Sequence, residues 1–442
     1  MRSKWQEVKI EELLADKKNA IAMGPFGSRI KTENFVETGI PIIKGKNLTS
    51  GWLNEDEFSY LTEEKANELK SSSVERGDLV FTHRGTLGQV GYIHETSKFP
   101  FYIVSQSQMK LSVDKTKVNP LFLYYFFKSD IGQHRLLLNT SQTGVPAIAR
   151  PTNTLKSIKV PLPSLEIQRN ILNILLKLDK KININNSIIS NLDQLAKTLF
   201  KHWFLDFEFL NKNGKPYKSN GGEMVESDLG LLPKGWNVQS MPEICEIIDC
   251  LHSKKPTRLN ESNDFTLLQV TNILNNGLLD LSDRYYIKEE DYEKWTSKIE
   301  LLPGDCVLTN VGRVGAPAQI PFYFKGATGR NMTALRVKNK LTSTYLINYL
   351  LSSEMRTEIN RQTDSGTILE SLNVKGIKKL RVITPPEEII KNTDPIFKSI
   401  RDQIEQLHFS NNTLINIRDS ILPKILSGEI EILLESEELE HV

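Results

Sequence analysis

The stretch VERGDLVFTHRGTLGQVG, residues 74–91, returns later in the chain as LLPGDCVLTNVGRVGAPA, residues 301–318. An internal match of this length is more informative about the fold than local secondary-structure patterns, because a repeated unit determines the architecture of the whole chain. Outward from it, the opening segment around Trp5 corresponds to the segment around Trp236. The positions that the two stretches share are Gly77, Asp78, Gly85 and Gly88 in the first and Gly304, Asp305, Gly312 and Gly315 in the second. The pattern therefore predicts a tandem duplication.

The segment PIIKGKNL, residues 41–48, aligns with TLLQVTNI, residues 266–273, in the second copy. The first version looks like a phosphate-binding loop, but five residues rather than four separate Gly39 from Gly45, and Asn47 stands where such a loop needs Ser or Thr. The second version has neither the glycine nor the lysine. We therefore predict a β-strand that ends in a polar residue, and no nucleotide site.

Each copy begins with about 150 residues that mix short strand patterns, Gly and Asn turns and helical stretches, such as residues 121–138 and 345–361. Proline-marked strands at residues 158–163 and 380–386 close the two copies. We predict a mixed α/β (α+β) domain in each copy.

A long helix follows each domain and carries a seven-residue apolar repeat. Predicted seam residues are Ile171, Leu178, Leu192, Leu199, Ile400, Leu407, Leu414 and Ile421, with Ile174, Ile188, Leu195 and Ile417 on the companion positions. Two such helices in one chain favour a coiled coil, which we expect to be antiparallel. The alternatives are a parallel pair, and amphipathic helices docked on their own domains. Asn185 and Lys181 interrupt the seam and would fix its register.

Composition limits the function classes. The chain has 442 residues, of which 39% are hydrophobic, with 56 basic and 54 acidic residues and a net charge of +2. A surface for nucleic acid must therefore be local. Cys245, Cys250 and Cys306 form no C-x-x-C pair and have no histidine at zinc-ligand spacing, so we expect buried thiols and no metal site. Without a signal core or a run of 18 apolar residues, we expect a cytoplasmic protein with no membrane partner.

These patterns predict a linear organisation of six segments. A helix of about 40 residues is roughly 60 Å long, a scale that suits two recognition domains on DNA half-sites one or two helical turns apart. The segments are a recognition domain (1–163), a spacer helix (164–207), an exposed linker (208–235), a second recognition domain (236–386), a second spacer helix (387–430) and an acidic tail (431–442).

Four motifs, in order along the chain, give it a specific resemblance to a known family. The chain is similar throughout to the specificity subunits of type I restriction-modification systems, and the motifs in order are PLPSLEIQRNI (161–171), LFKHWFLDFEF (199–209), GLLPKGW (230–236) and ILPKILSGEI (421–430). One departure lies at Glu166-Ile167-Gln168, where the family has Glu-Glu-Gln, and another at Ile390, which replaces the glutamine in the second copy.

The resemblance implies two target-recognition domains that read a split double-stranded DNA target. It also implies assembly with two modification (methyltransferase) subunits and, in a restriction complex, with two motor-nuclease subunits. S-adenosylmethionine, ATP and magnesium would then belong to the partner subunits, and this chain would hold no cofactor and carry out no catalysis.

Chemistry in the chain itself agrees with a non-catalytic role. An adenine methyltransferase needs an N/D-P-P-F/Y loop to hold a flipped base, and both NPLF (119–122) and TPPE (384–387) depart from it. Two alternatives remain open from sequence: a self-contained methyltransferase or nucleotidase, and a duplicated scaffold that does not read DNA.

Candidate DNA contacts are polar positions at strand ends and turns, most of which differ in identity between the copies. Arg, Asn and Gln read base edges, whereas Lys binds phosphates. Each candidate could also be an ordinary polar surface residue, as His83 in its turn illustrates. The candidates are Lys44, Lys46, Asn47, His83, Arg84, Gln106, Gln108, Gln142, Thr143 and Arg150 in the first copy, and Gln269, Thr271, Asn272, Asn310, Arg313, Arg330 and Asn331 in the second.

An aromatic cluster ends the first spacer helix. Its members could stack on unpaired bases, but their position at the end of a coiled-coil helix favours packing against the second domain or a docked subunit. They are Phe200, Trp203, Phe204, Phe207 and Phe209.

Overall fold

A computed structural model describes residues 5–49, 51–141, 144–338, 341–365, 370–427 and 429–430. The predicted acidic tail, 431–442, lies outside these residues. The chain divides into two compact units, which we call the first unit (residues 1–181 with 414–442) and the second unit (residues 182–413). Both long helices pass through both units.

The strands of the first unit are β1 (Glu7–Lys9), β2 (Ile21–Met23), β3 (Phe35–Val36), β4 (Ile40–Ile43), β5 (Ser59–Leu61), β6 (Ser73–Glu75), β7 (Leu79–Thr82), β8 (Val90–Tyr92), β9 (Phe101–Val104), β10 (Gln108–Leu111), β11 (Thr140–Ser141), β12 (Ala147–Ile148) and β13 (Lys159–Pro161). Its helices are α1 (Glu63–Glu68), α2 (Pro120–Lys128), α3 (Asp130–Leu137), α4 (Pro151–Ser157) and the start of α5 (Leu165–Phe200).

The strands of the second unit are β14 (Met224–Ser227), β15 (Gly230–Pro233), β16 (Asn237–Ser240), β17 (Cys245–Asp249), β18 (Leu267–Leu268), β19 (Glu300–Leu301), β20 (Cys306–Thr309), β21 (Pro317–Gln319), β22 (Gly326–Thr328), β23 (Met332–Val337), β24 (Asp364–Ser365), β25 (Glu370–Ser371) and β26 (Arg381–Thr384). Its helices are α6 (Met241–Ile244), α7 (Glu289–Thr296), α8 (Ser343–Leu350), α9 (Ser353–Gln362), α10 (Val374–Lys379) and most of α11 (Glu387–Ser427).

Sheet topology confirms the duplication. In the first unit an antiparallel sheet has the order β2-β10-β7-β8, and in the second unit the order β17-β23-β20-β21 repeats it. Each unit also contains a parallel pair, β4 with β9 and β18 with β22. The first and last strands of each domain pair with each other, β1 with β13 and β16 with β26. The predicted mixed α/β domains are therefore present twice.

Two glycines in the repeated turn have backbone conformations that other residues rarely adopt. Gly88 has φ +84° and Gly315 has φ +68°. A Cβ atom at Gly88 would lie 2.5 Å from the Gln133 side chain, and one at Gly315 would lie 2.7 Å from Ile359. The glycine spacing recognised in sequence thus reflects both a left-handed backbone and a close approach of the helix beside the turn.

Helices α5 and α11 pack against each other and run antiparallel within each unit. In the first unit Leu175 and Leu422 share one apolar cluster, and in the second unit Ile189 and Ile400 share another. Among the predicted seam residues Ile171 and Ile400 are buried, and the remaining six are half-buried: Leu178, Leu192, Leu199, Leu407, Leu414 and Ile421.

The predicted companion row on α5 was wrong by one residue. Ile174, Ile188 and Leu195 are exposed, whereas the buried row consists of Leu175, Ile182, Ile189 and Ala196. Residues on both rows are apolar. The periodicity alone could therefore not show whether the second buried row lies three or four residues after each seam position. On α11 the predicted Ile417 is exposed, and the buried row is Phe397, Ile404, Asn411 and Ile425, with Arg418 partly buried.

Polar contacts interrupt the apolar packing between the helices. In the second unit the fully buried Asn185 donates from Nδ2 to Asn411 Oδ1 at 2.8 Å, and Asn411 in turn donates to Asn186 Oδ1 at 2.8 Å. In the first unit Arg418 pairs with Asp179 at 2.7 Å. Lys181, predicted as a seam residue, is exposed instead.

The aromatic cluster at the end of α5 packs inside the second unit, which confirms the packing prediction. Phe200 and Phe204 lie against Tyr345 with ring centroids 5.3 and 5.1 Å apart, and Phe207 lies 5.5 Å from Trp236. A π-helical turn, Lys201–Leu205, continues α5 into this cluster.

The segment predicted as an exposed linker is partly ordered. It contains the β14–β15 hairpin, and its Tyr217 ring stacks on Phe209 at 4.8 Å. Burial of Leu232 in the same apolar cluster explains why these residues adopt structure. Within the described part of the chain, no helix combines the length and apolar character that a membrane span requires.

Candidate nucleic-acid interface

In the first unit, three segments that are distant in sequence meet at the residue after β7. The His83 N–H donates to the Ser107 carbonyl at 2.9 Å, and the His83 carbonyl accepts from the Ile148 N–H at 2.9 Å. The His83 ring Nε2 lies 3.1 Å from the Gln106 carbonyl, which requires that this nitrogen carry a proton. Burial lowers the pKa of this imidazole below its usual value, although the Gln106 carbonyl opposes the shift. His83 therefore positions two loops as a neutral side chain.

Asn310 occupies the same place in the second unit. Its N–H donates to the Asn331 carbonyl at 2.8 Å, and its carbonyl accepts from the Leu372 N–H at 2.9 Å. The side-chain Nδ2 donates to the Leu372 carbonyl at 2.8 Å. We call these two equivalent arrangements the turn frames. Because His83 and Asn310 are bonded within their frames, the structure assigns both a positioning role.

Two candidates prove to be structural. Asn47 is buried, accepts at Oδ1 from the Lys44 N–H at 3.0 Å, and donates from Nδ2 to two carbonyls. Asn272 accepts from the Gln269 N–H at 2.8 Å and donates to the Asp280 carbonyl at 2.8 Å. In both copies this asparagine closes the turn after a parallel strand, so the shared residue reflects a backbone requirement and not base reading.

Three further candidates have their polar groups occupied. Gln108 is buried, accepts from the Ser105 hydroxyl and donates to Thr82 Oγ1 at 3.2 Å. Gln269 donates to the carbonyl of Leu267 at 3.0 Å. The Arg313 guanidinium bonds the Ile273 carbonyl and the Asn275 side chain, although the residue is exposed. Gln108 was chosen as a polar residue at a strand end, but it begins β10, a strand buried on both faces.

Other candidates lie at the surface around the turn frames. Lys44 is half-buried and donates to Ser59 Oγ at 2.7 Å, and burial, followed by the charge of Lys46, lowers the pKa of its ammonium group. Lys46 pairs with Glu57 at 2.9 Å in an exposed contact that a phosphate could replace. Gln142 and Thr143 lie outside the described residues. The exposed candidates are Lys46, Arg84, Gln106 and Arg150 in the first unit and Thr271, Arg313, Arg330 and Asn331 in the second.

The loop after β2 was missed from sequence. Gly24 donates to the Gln108 carbonyl at 2.8 Å, and a Cβ atom there would lie 1.9 Å from the Ser105 carbonyl oxygen. This close approach brings the exposed Phe26 and Arg29 beside the first turn frame. The sequence signal for this loop is a Pro-Phe pair between two glycines, at residues 24–27. It was missed because the two copies share no residues in this loop.

The corresponding loop of the second unit follows β17. Strand register equates Met23 with Asp249, since their partners Met109 and Thr333 occupy equivalent positions opposite β7 and β20. This loop presents exposed His252, Lys254 and Lys255. Each turn frame is therefore bordered by exposed donors whose identity differs between the units.

Comparisons with known proteins agree with the duplicated fold. A family model described as the type I restriction modification DNA specificity domain matches residues 2–194 and 233–414. The type I restriction enzyme MjaIX specificity subunit of Methanocaldococcus jannaschii is 24% identical over 381 residues, which is 84% of this chain and 82% of that protein. The HindI specificity subunit of Haemophilus influenzae is 23% identical over 413 residues, with 81% and 87% covered. The crystal structure of the S subunit from M. genitalium matches with a TM-score of 0.55 and 16% identity over 98% of both chains, which supports the fold.

Proposed function

The chain belongs to the type I restriction modification DNA specificity family, and on that premise we propose that each turn frame reads one half of a split double-stranded DNA target. One observation carries the proposal. The two frames share their backbone hydrogen bonds, whereas the exposed side chains around them differ, with Gln106 in the first where Arg330 stands in the second. A common scaffold with different donors is what two domains reading different bases require.

The exposed donors suit base and phosphate recognition. Arginine is matched to guanine and glutamine to adenine in the major groove, and lysine neutralises phosphates. Gln106 lies in the turn between β9 and β10, and Arg330 lies in the turn between β22 and β23. Arg84 follows β7, and Lys46 lies in the turn after β4. We assign base reading to Gln106 and Arg330 and backbone contact to Lys46.

We further propose that the helices hold the spacing and dock the methyltransferase subunits. In the second unit, Ile184, Ile188 and Leu195 of α5 are between 39% and 46% exposed. They recur at intervals of four and seven residues, so they form one apolar stripe along the helix. A stripe that the second helix leaves uncovered suits an apolar helix surface of a partner subunit.

Catalysis would then belong entirely to the partners. Two methyltransferase subunits would supply S-adenosylmethionine chemistry, and motor-nuclease subunits would supply ATP and magnesium in a complex that restricts. The proposal places the complex in the cytoplasm with the DNA that it modifies. We expect the purified chain to transfer no methyl group to DNA by itself. Turnover by the chain alone would instead favour a self-contained methyltransferase.

The decisive experiment maps methyladenine in DNA from cells that express this chain with its methyltransferase subunit. We expect a split motif that disappears when the chain is deleted. The variant Gln106→Ala should relax one half of the motif, and Arg330→Ala should relax the other half. As a matched control, Gln403→Ala changes an exposed glutamine on α11 and should leave the motif intact.

Two outcomes would contradict the proposal. If both variants weakened methylation of all sequences equally, the two side chains would contact phosphates or support structure. If the complex assembled with an active methyltransferase and yet gave no motif that depends on this chain, the duplicated scaffold without DNA reading would be favoured.

A further inference from the structure

Three side chains capable of binding a metal meet where β17 ends. The carboxylate of Asp249, the thiol of Cys250 and the imidazole of His252 place one ligand atom each within 4.8 Å of one another. The His252 Nε2 and Asp249 Oδ2 atoms are 2.7 Å apart. The spacing of the cysteines in sequence predicts no metal site, and the proximity of these three side chains is evident only in the tertiary structure.

The sulfur of Cys250 can be reached from a cavity although the residue is buried. The residue is only 3% exposed, yet it lines an open cavity of about 520 Å³ together with Asp249 and His252. Burial raises the pKa of the Cys250 thiol, so zinc must displace its proton on binding. Asn331 has a left-handed backbone with φ +62°, so the turn is held in an uncommon conformation beside the sulfur.

We propose that Asp249, Cys250 and His252 bind a zinc ion through one sulfur, one nitrogen and one oxygen atom, with a water molecule from the cavity as fourth ligand. Tetrahedral zinc places its ligands at about 2.0–2.3 Å, so ligand atoms lie roughly 3.2–3.8 Å apart. The histidine and carboxylate must separate slightly and the sulfur must approach by about 1 Å. The His252 side chain is 70% exposed and can rotate without repacking the core.

Two cations near the site act against metal binding. Lys298 Nζ lies 3.3 Å from the Cys250 carbonyl and 3.5 Å from the Asp249 carbonyl, where it holds the loop backbone. Lys375 lines the same cavity. When zinc is bound, the Asp249 carboxylate and the Cys250 thiolate together balance its charge. The two lysines therefore lower the affinity for zinc but do not prevent binding.

The duplication provides an internal comparison. Strand register places Met23, Gly24 and Phe26 of the first unit where the second unit has Asp249, Cys250 and His252. None of these three residues offers a comparable ligand set. Among the described residues, the equivalent place in the first unit therefore has no such site, and we expect the full chain to bind one ion.

The test uses Co²⁺ as a spectroscopic substitute for Zn²⁺ on the purified full chain. We expect about one Co²⁺ per chain, with a sulfur-to-cobalt charge-transfer band and visible bands of tetrahedral intensity, and displacement of both by one equivalent of Zn²⁺. Cys250→Ser should abolish the charge-transfer band, and His252→Ala should lower the affinity at least tenfold. Cys245→Ser changes a buried cysteine that does not line the cavity and should retain the wild-type spectrum.

A chain that shows no thiolate band at saturating Co²⁺ would overturn the proposal, as would an unchanged band in Cys250→Ser. Circular dichroism and the melting temperature without metal establish that each variant is folded. If Cys250→Ser does not fold, the exposed His252→Ala variant decides the matter, because wild-type Co²⁺ affinity in that variant would also refute the site. None of these measurements depends on DNA reading.

Discussion

The buried asparagine pair gives the most direct test of how the two long helices are aligned. Replacing Asn411 by Leu leaves the Asn185 Nδ2 group, which is fully buried, without its acceptor. An unsatisfied buried donor costs about 1–3 kcal/mol. Asn185→Leu should cost less, about 1 kcal/mol, because Asn411 keeps its bond to Asn186.

The double variant Asn185→Leu/Asn411→Leu removes both polar partners and should return to within about 1 kcal/mol of the wild type. The double-mutant cycle is therefore expected to give a coupling energy of about −1 to −4 kcal/mol. The apolar pair would also remove the contact that best distinguishes one register from another.

Hydrogen exchange of the full chain, read by mass spectrometry on peptides from residues 182–200 and 397–413, measures the opening free energy of these helices directly. Asn191→Leu is the matched control, because Asn191 is exposed on the same helix and should change protection by less than about 0.5 kcal/mol. A coupling energy near zero, with the double variant as destabilised as the sum of the single variants, would refute the role of this pair.

Three other perturbations test the packing of the second unit. Phe204→Ala empties a fully buried ring position and should lower the free energy of unfolding by about 3–5 kcal/mol, measured by urea titration. Gly315→Ala should be more destabilising than Gly312→Ala, because both have positive φ but only the former brings Cβ within 2.7 Å of Ile359; equal melting temperatures would contradict this. Burial opposes ionisation of Glu358, but its arginine partners prevail and hold its pKa below 4.5. The contribution of Glu358 to stability is present above pH 4.5 and is lost as the pH falls through its lowered pKa in the folded state. Glu358→Gln should therefore make the free energy of unfolding depend less on pH in the acid range.

The candidate DNA contacts remain a prediction from sequence, and the structure shows that several of their side chains are buried. Alignment of the copies led to the turns that the structure brings together around His83 and Asn310. It could not reveal that Asn47, Asn272 and Gln108 turn inward, because a polar residue that satisfies buried backbone groups looks the same in sequence as one that faces DNA. The proximity of Asp249, Cys250 and His252 could not be predicted from sequence, because their short spacing becomes a cluster only in the folded loop after β17.

What the sequence alone determined is the duplication, the mixed α/β class of each domain and the presence of two long heptad helices. These follow from the order of residues along one chain, since glycine turns and apolar periodicity act locally. The tertiary structure decided which apolar row of α5 is buried. Ile188 and Ile189 satisfy the periodicity equally well, and only the position of the second helix selects Ile189 for burial and leaves Ile188 exposed. Pairing of distant segments, such as Asn185 with Asn411, likewise depends on packing that no local pattern encodes.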